Sequence, residues 1–448
     1  MYNLHGFNKM TKTSLQYFVF IIGIILLFSP ASKAGETKEV FSLEKTIQTA
    51  ISNNIGLLKA KEKINAATAA KNASRANFFP TFNATYQYKH NYEESSNPLL
   101  GITTPENDYV FAASVTQPLF AGFSILNSYK LAGLGLDAAD LNEKIVRLDI
   151  IYQAGKAYFS VLKAIKIQSV SEDTVTLLLS HENMAKSFYE VGMTPLNDLL
   201  KSQVELANSR QDLTIARNNL EIAKADFNNI LRRHINASVD LEDILDYIPL
   251  ANDLLYYLDL AEKNRLEIKL ADLGIEMAEK EAALAKKDYY PTVTLAGTRY
   301  QRGTDWDVAG GSGISDPNSW NISAVASWNF WEWGKTCYGE KEKKSQLQQA
   351  KLNKDEIIDK IRLEVKQFFL KTKEAESNII TVQKAIEQAK ENLRISQERY
   401  KEQISTSTDV LDAQTLLSRT MTNYFNALYD FKISKASLSR ALSMEIVE

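Results

Sequence analysis

The chain has 448 residues, of which 45% are hydrophobic and 24% are charged, and its formal net charge at pH 7 is −3. This length allows two or three domains of ordinary size, and the near balance of 52 basic and 55 acidic residues argues against a nucleic-acid-binding surface. Cys337 is the only cysteine, which excludes a disulfide framework and a cysteine-based metal site. The four histidines are scattered singly. We therefore expect each of them to be a packing or surface residue, and we expect no metal and no other cofactor.

The N-terminus has the features of an export signal. Residues 1–34 contain three lysines and no acidic residue. The apolar run 18–28 has about 11 residues, too few for a membrane helix, which needs about 20. Small residues at the positions that a signal peptidase reads predict a signal peptide of residues 1–34, with cleavage after Ala34. No later stretch is long and apolar enough for a membrane helix, so we expect the exported chain to be either soluble or a β-barrel.

Internal repetition is the strongest signal in the sequence. Two halves align without a gap at an offset of 211 residues. The matched pairs run through helices, turns and strands: Leu43 with Leu254, Asn53 with Asn264, Pro80 with Pro291, Ala216 with Ala427, and Leu231 with Leu442. We therefore predict a first repeat (35–233), a polar linker with short helical pieces (234–253) and a second repeat (254–448).

Each repeat is expected to begin with a helix, over 43–78 and 254–289, because these stretches are rich in Ala, Lys and Glu. Beyond Pro80 and Pro291 the hydrophobic period becomes two, which indicates strands with one apolar face. In each repeat we predict two strands around a loop. The first loop is polar (about 93–108) and the second is Gly-rich (about 303–317).

Aromatic residues mark the borders of the predicted apolar face. Trp320 and Trp328 lie near the two ends of one alternating stretch that continues to Phe330, and Tyr109 begins another. Tryptophans at both borders of an apolar band are favoured at membrane–water interfaces, so we predict Tyr109, Trp320, Trp328 and Phe330 as membrane-interface aromatics. The alternative is a pair of soluble hairpins packed on a core. The opposite faces of the strands are small and neutral, which suits a pore lining better than a soluble surface.

After Gly122, and again after Gly334, the hydrophobic period becomes the 3.5 residues of a coiled coil. A helix over about 124–188 would have roughly 65 residues and a length of about 98 Å. So long a helix cannot bury itself in one compact core. The helices must project from the strands as hairpins, and their apolar stripes need neighbours within the chain or in other subunits.

The hairpins turn at two matching stretches, which we name the first tip (189–201) and the second tip (400–413). At the first tip, Gly192 can end a helix in the left-handed conformation, Thr194 can cap the next helix, and Pro195 suits its first position. At the second tip Ser405 takes the cap position, but Gln403 replaces the glycine. We therefore expect the second tip to close with a different geometry.

Four amphipathic strands cannot close a membrane barrel alone, since single-chain barrels begin at about eight strands. An open sheet edge in lipid leaves backbone groups unpaired, at several kcal/mol each. A membrane location therefore requires an oligomer. Two chains would give about eight strands and a filled lumen, and three would give about twelve and a channel. Helices attached to such a ring would continue it as a tube.

The twofold helix–strand–strand–helix–helix unit, the proline before each first strand, the stretch 118–122 (Pro-Leu-Phe-Ala-Gly) and the second tip resemble the TolC family of outer-membrane efflux factors. The resemblance covers essentially the whole mature chain. It implies a mainly α fold with a small β part, in which long antiparallel hairpins form an α-barrel. The four strands would contribute to a homotrimeric, twelve-stranded barrel in outer-membrane lipid. It also implies a passive exit duct, without a cofactor, that docks onto a periplasmic adaptor and an inner-membrane pump to export drugs, metals or proteins.

The family resemblance also assigns residues. Asp409 and Asp412 match two acidic rings at the periplasmic entrance, and a spacing of three puts both on one helix face. Alternatively, Asp409 only favours the positive end of its helix. Tyr400 and Asp198 match gate positions, so the resemblance implies a hydrogen bond between them. The family has an arginine where this chain has Ser405, which removes one charged link of the family's gate.

The resemblance places contacts with the adaptor at the outermost residues of the two tips. Alternatively, these residues serve only the turn. They are Val191, Gly192, Met193, Thr194, Ile404, Ser405 and Thr406.

No enzyme constellation is present: we find no Gly-rich phosphate loop, no nucleophile motif and no usable His–carboxylate pair. We therefore predict that the protein is not an enzyme and that a partner supplies the energy. Two other functions remain open at this point. A periplasmic coiled-coil adaptor or scaffold would have one hairpin flanked by β-rich domains, whereas a secreted pore-forming toxin would hide its apolar strand faces in a soluble state.

Overall fold

The computed structural model describes residues 40–97, 102–244, 248–314 and 316–445, so the predicted signal peptide lies outside the described residues. The described part of the first repeat contains five strands and four helices. They are β1 (Val40–Phe41), α1 (Leu43–Asn53), α2 (Ile55–Ala76), β2 (Thr81–His90), β3 (Ser95–Asn97), β4 (Ile102–Thr104), β5 (Asn107–Ala121), α3 (Ser124–Glu190) and α4 (Leu196–Ile230). The linker and second repeat follow. They contain β6 (Asp240–Leu241), α5 (Leu254–Asn264), α6 (Leu266–Leu284), β7 (Thr292–Gly303), β8 (Asn318–Ser327), α7 (Lys335–Lys401) and α8 (Ser407–Ala441).

The duplication is a structural repeat as well as a sequence repeat. Four helices of the first repeat begin at residues 43, 55, 124 and 196, and their counterparts in the second repeat begin at residues 254, 266, 335 and 407, an offset of 211 residues in every case. Both α3 and α7 have 67 residues, and both α4 and α8 have 35. At a rise of about 1.5 Å per residue each long helix extends about 100 Å. The predicted projecting hairpins are confirmed, with α4 packed along α3 and α8 packed along α7.

The helix predicted to open each repeat is in fact two helices. Asn54 has an extended backbone (φ −69°, ψ 127°), and its side-chain oxygen accepts a hydrogen bond from the Gly56 amide at 2.7 Å, which caps α2. The counterpart of Asn54 is Arg265, which is also extended and breaks the helix at the same place. The alanine-rich composition favoured one continuous helix, but one asparagine side chain that competes for backbone groups interrupts it.

The four main strands form one antiparallel sheet in the order β2–β5–β7–β8. The register places Phe82 opposite Val115, and Gly297 opposite both Val115 and Ile322. The apolar side chains therefore share one face of the sheet, as the alternation predicted. We call it the apolar face.

Three details of this region differ from the prediction. The loop over 93–108 is not simply polar and irregular, because β3 and β4 pair within it as a small hairpin. Strand β8 ends at Ser327, so Trp328 and Phe330 lie beyond it. The linker, described over 234–244 and 248–253, contains no helix there. It contributes β6, which pairs in parallel with β1.

The chain passes from sheet to helix at two sharp corners with left-handed backbone. Before α3 the corner residues are Gly122 and Phe123, at φ 59° and 63°, and before α7 they are Trp333 and Gly334, at φ 52° and 83°. A Cβ atom on Gly122 would lie 2.2 Å from the Lys287 carbonyl oxygen, so only glycine fits. These corners direct all the long helices away from the same edge of the sheet.

The main hydrophobic core lies where α3 and α4 meet α1, α8 and the linker. Tyr158, Phe227 and Tyr429 are fully buried there. The Tyr158 hydroxyl donates a hydrogen bond to the Glu242 carbonyl oxygen at 2.5 Å, which ties the linker to α3. Within the described residues, no helix is both long and apolar enough to cross a membrane.

Candidate functional site

The two tips have the same backbone turn. At the first tip Gly192 is left-handed (φ 74°), the Gly192 amide donates to Tyr189 O at 2.9 Å, and the Met193 amide donates to Phe188 O at 2.8 Å. At the second tip Gln403 is left-handed (φ 60°) and the two equivalent hydrogen bonds are 3.0 and 2.8 Å long. The expectation of a different geometry at Gln403 is therefore wrong. A non-glycine residue takes the strained conformation because both hydrogen bonds of the turn hold it there.

The helix caps at the tips lie one residue later than predicted. At the second tip Thr406, not Ser405, caps α8: its hydroxyl accepts from the Asp409 amide at 3.3 Å, and the Thr406 amide donates to the Asp409 carboxylate at 2.8 Å. At the first tip Pro195 occupies the cap position and no side chain caps α4. The Thr194 hydroxyl is buried without a hydrogen-bond partner among the described residues, so Thr194 is not the cap.

The two aspartates of the predicted rings have different surroundings. Asp409 is exposed but engaged in the cap, and the hydrogen bonds from the Thr406 amide and hydroxyl lower the pKa of its carboxyl group. Asp412 is also exposed, one turn further along α8, and it borders a groove of about 450 Å³ between α4 and α8. Lys201 and Glu205 line the same groove, so charges of both signs lie within it. Asp409 therefore stabilises the start of α8, in addition to any role in a ring. This agrees with the alternative interpretation, in which Asp409 favours the positive end of its helix.

The predicted hydrogen bond between Tyr400 and Asp198 is not formed. Tyr400 is only 2% exposed, and its hydroxyl has no hydrogen-bond partner among the described residues. Burial raises the pKa of Tyr400, and the nearby Asp198 carboxylate raises it further. Asp198 thus lies close enough to act on Tyr400 electrostatically without accepting its proton in a hydrogen bond.

One of the four histidines, each of which we expected to be a packing or surface residue, connects the two hairpins at this point. His181 of α3 is 5% exposed, its Nε2 lies 2.8 Å from the Ser407 hydroxyl of α8, and its ring centroid lies 5.0 Å from that of Tyr400. Burial lowers the pKa of His181, and the Asp198 carboxylate partly opposes this shift. The contact joins residues 226 positions apart, and nothing in the local sequence around His181 marks it.

The outermost residues of both tips are apolar and exposed. Val191, Met193 and Ile404 are each more than half exposed. Two hydrogen bonds join the tips directly among the described residues: the Gln403 side-chain amide donates to the Met193 sulfur at 3.0 Å, and the Lys201 ammonium group donates to the Thr408 hydroxyl at 3.2 Å. The Ser405 hydroxyl donates to the Ser396 carbonyl oxygen at 3.4 Å, within its own hairpin. The tips therefore present a small apolar surface at the end of the molecule farthest from the sheet.

At the other end, aromatic side chains border the sheet. Trp320 is exposed near one edge of the apolar face, and Tyr109 stacks on Tyr88 with ring centroids 4.7 Å apart. At the helix edge, Trp328 and Phe330 are exposed. Further exposed aromatics lie at this edge, and strand periodicity did not predict them because the corner residues show none. They are Phe123, Tyr290, Trp331 and Trp333.

An open sheet with one apolar face, bordered by aromatics and continued by two helical hairpins of about 100 Å, defines the class of outer-membrane channels that extend through the periplasm. No cluster of three or more metal-ligating side chains occurs within the described ranges. A family model for outer membrane efflux proteins matches residues 46–231 and 257–443, and the chain belongs to this family.

Individual relatives agree with the family. Outer membrane protein TolC of Escherichia coli (strain K12) is 24% identical over 443 residues, covering 94% of this chain and 85% of the relative. Outer membrane efflux protein BepC of Brucella suis biovar 1 is 23% identical over 345 residues, covering 75% of this chain and 74% of the relative. The solved CmeC outer membrane channel of Campylobacter jejuni superposes with a TM-score of 0.79 at 16% identity, covering 90% of this chain and 85% of that one.

These findings confirm the predicted fold class, location and function. The protein is an outer-membrane exit duct of a tripartite efflux system, with a helical extension into the periplasm. Channels of this family work as trimers with an adaptor and an inner-membrane pump, and the family is one of transport channels. The adaptor, toxin and soluble-hairpin alternatives are set aside.

Proposed function

We propose that three copies of this chain form one duct, with twelve strands in the outer membrane and a tube of hairpins in the periplasm. The observation that carries this proposal is the open sheet. Within the described residues, β2 and β8 each pair along one edge only. An edge left open in lipid would cost several kcal/mol for each unpaired backbone group. Pairing of β8 from one copy with β2 of the next removes every edge, and about twelve strands leave room for a lumen.

The helices support the same stoichiometry. Apolar side chains on α4 and α7 remain exposed in the single chain, including Val204, Ile222, Leu352, Leu363 and Leu370. Burying such side chains is worth about 1.5–3 kcal/mol each. Neighbouring copies supply the surfaces that cover these stripes, so the strands and the helices close by the same threefold arrangement.

The gate lies at the tips. In the structure the second tip packs against α3 through Tyr400 and through the His181–Ser407 contact, with Asp198 as the charge beside them. This packed arrangement is the closed state of the duct, and opening moves the second hairpin away from the first. Asp198 and Tyr400 therefore act in the gate through burial and electrostatics.

Beside the gate, Asp409 and Asp412 of three copies form two acidic rings at the periplasmic entrance. Such rings attract cations and select for them. Asp412 carries most of this effect, since the carboxylate of Asp409 is engaged with Thr406.

A periplasmic adaptor docks at the same end, on the exposed residues of the two tips named above, and links the duct to an inner-membrane pump. The exposed apolar residues Val191, Met193 and Ile404 are its anchors. Exposed apolar side chains that lie together in one patch are a mark of protein interaction sites.

The first experiment is the native mass of the mature chain in detergent, with a low-resolution particle image. We expect three copies in a tube longer than about 100 Å. A monomer, or a dimer that is soluble without detergent, would contradict the proposal.

The second measurement is ion selectivity in planar bilayers. Asp412→Asn should reduce the preference for cations severalfold, because the ring loses three carboxylates at a narrow entrance. Asp226→Asn, in α4 far from the tip, is the matched control and should leave selectivity unchanged. Equal selectivity of Asp412→Asn and the unmodified protein would remove the ring from the proposal.

A further inference from the structure

Among the described residues of the four main strands, one arginine lies on the apolar face of the sheet. Arg299 belongs to β7, an inner strand, and pairs in register with Ala113 of β5 and Trp320 of β8. The residues two positions away on the same strand are Gly297 and Gln301. Because β7 is flanked on both sides by strands of its own chain, a neighbouring copy that pairs with β2 or β8 does not bring an acidic residue directly beside Arg299.

The charge of Arg299 is not compensated within the sheet. The Arg299 side chain is exposed and forms no ion pair with any residue that the structure describes. Arg302, three residues further along, points to the opposite face and binds Asp108 through two hydrogen bonds of 2.6 and 3.0 Å. Arg302, on the opposite face, is thus paired with a carboxylate, whereas Arg299, on the apolar face, has no carboxylate partner among the described residues.

Arg299 lies near the extracellular border of the apolar face. The helices leave the sheet at its periplasmic edge, so the loop between β7 and β8 marks the extracellular edge. Trp320, level with Arg299, is eight residues from Trp328 at the periplasmic border, which corresponds to about 21 Å for a strand tilted by about 40°. This approaches the full height of the lipid-facing band, about 25 Å.

Other polar donors surround Arg299 at this height. Gln301 and Asn318 face each other across β7 and β8, and the Gln301 amide donates to the Asn318 side-chain oxygen at 3.1 Å. That bond leaves the Asn318 side-chain N–H groups free to donate outward, and the indole N–H of Trp320 lies on the same face. The patch therefore combines a guanidinium group with neutral donors, and the carboxylate of Asp316 beside it is engaged by the Asn318 backbone amide at 3.2 Å.

We propose that this patch, formed by Arg299, Gln301, Asn318 and Trp320, binds a phosphate group of an outer-leaflet lipid. A guanidinium group matches the oxygens of a phosphate with two parallel hydrogen bonds. At the border of the hydrocarbon layer a lipid phosphate is the anion within reach of an outward-facing arginine, and the acyl chains lie along the apolar face below it. The proposal rests on the proposed trimeric barrel, which turns the apolar face toward lipid.

The test is binding of diphosphorylated lipid A to the full-length trimer in detergent, followed by native mass spectrometry. We expect up to three tightly bound lipids per trimer, and Arg299→Gln should weaken their binding about tenfold. Lys89→Gln is the matched control, because it removes one positive charge from the opposite face of the same sheet, and it should bind like the unmodified protein. Lipid A from which both phosphates have been removed should show no difference between Arg299→Gln and the unmodified protein.

Two outcomes would overturn the proposal. One is equal binding of diphosphorylated lipid A to Arg299→Gln and the unmodified trimer. The other is displacement of the lipid by millimolar inorganic phosphate, which would make the patch a site for free phosphate rather than for lipid. Trimer mass and bilayer conductance are measured on the same samples. If a variant loses the lipid but remains an intact, conducting trimer, the change concerns this site alone. If the unmodified protein does not form a trimer, the proposed duct is refuted.

Discussion

The two tips have nearly the same backbone but very different surroundings. Both turn through a left-handed residue with the same pair of hydrogen bonds. Tyr189 of the first tip is 40% exposed, whereas its counterpart Tyr400 is 2% exposed. The difference arises because the second tip packs against α3 and the first tip does not pack against α7 in the same way. Equivalent positions in a duplicated chain can therefore differ in function, since one hairpin supplies the surface that the other covers.

The residue that defines this asymmetry is not repeated. His181 lies in the buried contact between the hairpins, and its counterpart in the second repeat, Asn392, is exposed. The duplication thus offers a matched control for each substitution at a tip. A change at one position tests the contact, and the same change 211 residues away tests the effect of the substitution on a long helix.

The largest effect is expected for His181→Lys. A lysine here places a positive charge in a buried contact, where the Asp198 carboxylate offsets it only in part, and a poorly compensated buried charge costs about 3 kcal/mol. We expect the closed tip to be destabilised by that amount, which shifts the ratio of closed to open state about a hundredfold. Single-channel recording in planar bilayers should then show a mostly open duct.

The control for this prediction is Asn392→Lys, which adds the same side chain to an exposed position of α7. It should behave like the unmodified protein. If His181→Lys assembles as a trimer but conducts like Asn392→Lys, the buried histidine does not hold the tips together.

The pH dependence of opening also tests the difference between the two tips. Burial lowers the pKa of His181 below its ordinary value of 6.5, and Asp198 opposes this only in part. Below pH 6.5 the opened tip therefore binds more protons than the packed tip, and the packed tip loses stability as the pH falls. Among the groups around His181, Tyr400 stays neutral because its pKa is raised, and Ser407 does not titrate.

We expect acidification from pH 7.5 to pH 5.5 to favour opening by up to about tenfold for each protomer. Recording open probability across this range measures the effect. His181→Asn, which installs the residue of the second repeat, should remove the response. A response that persists unchanged in His181→Asn would show that another group is responsible.

Sequence patterns predicted much of this architecture but not the buried contact between the two hairpins. The duplication, the four main strands and the 67-residue helices followed from periodicity, because each is set by local patterns repeated over many residues. The helix break at Asn54 and the left-handed Gln403 depend on single residues, where propensity is a weak guide. The His181–Ser407 contact depends on how the two hairpins pack, so the amino-acid sequence alone does not reveal it.

The smallest expected effect concerns the caps of the two helices that follow the tips. Thr406 caps α8 in a reciprocal pair with Asp409, whereas Thr194 at the first tip has no capping role. Thr406→Ala should cost about 1 kcal/mol, a typical loss for a helix cap, and amide exchange in the first turn of α8 should rise about fivefold. Thr194→Ala should leave exchange at the start of α4 unchanged, because no hydrogen bond is lost. Equal responses of the two helices would mean that the Thr406–Asp409 pair adds nothing to the turn, whereas the expected difference would show that a side-chain cap stabilises the start of α8 and not the start of α4.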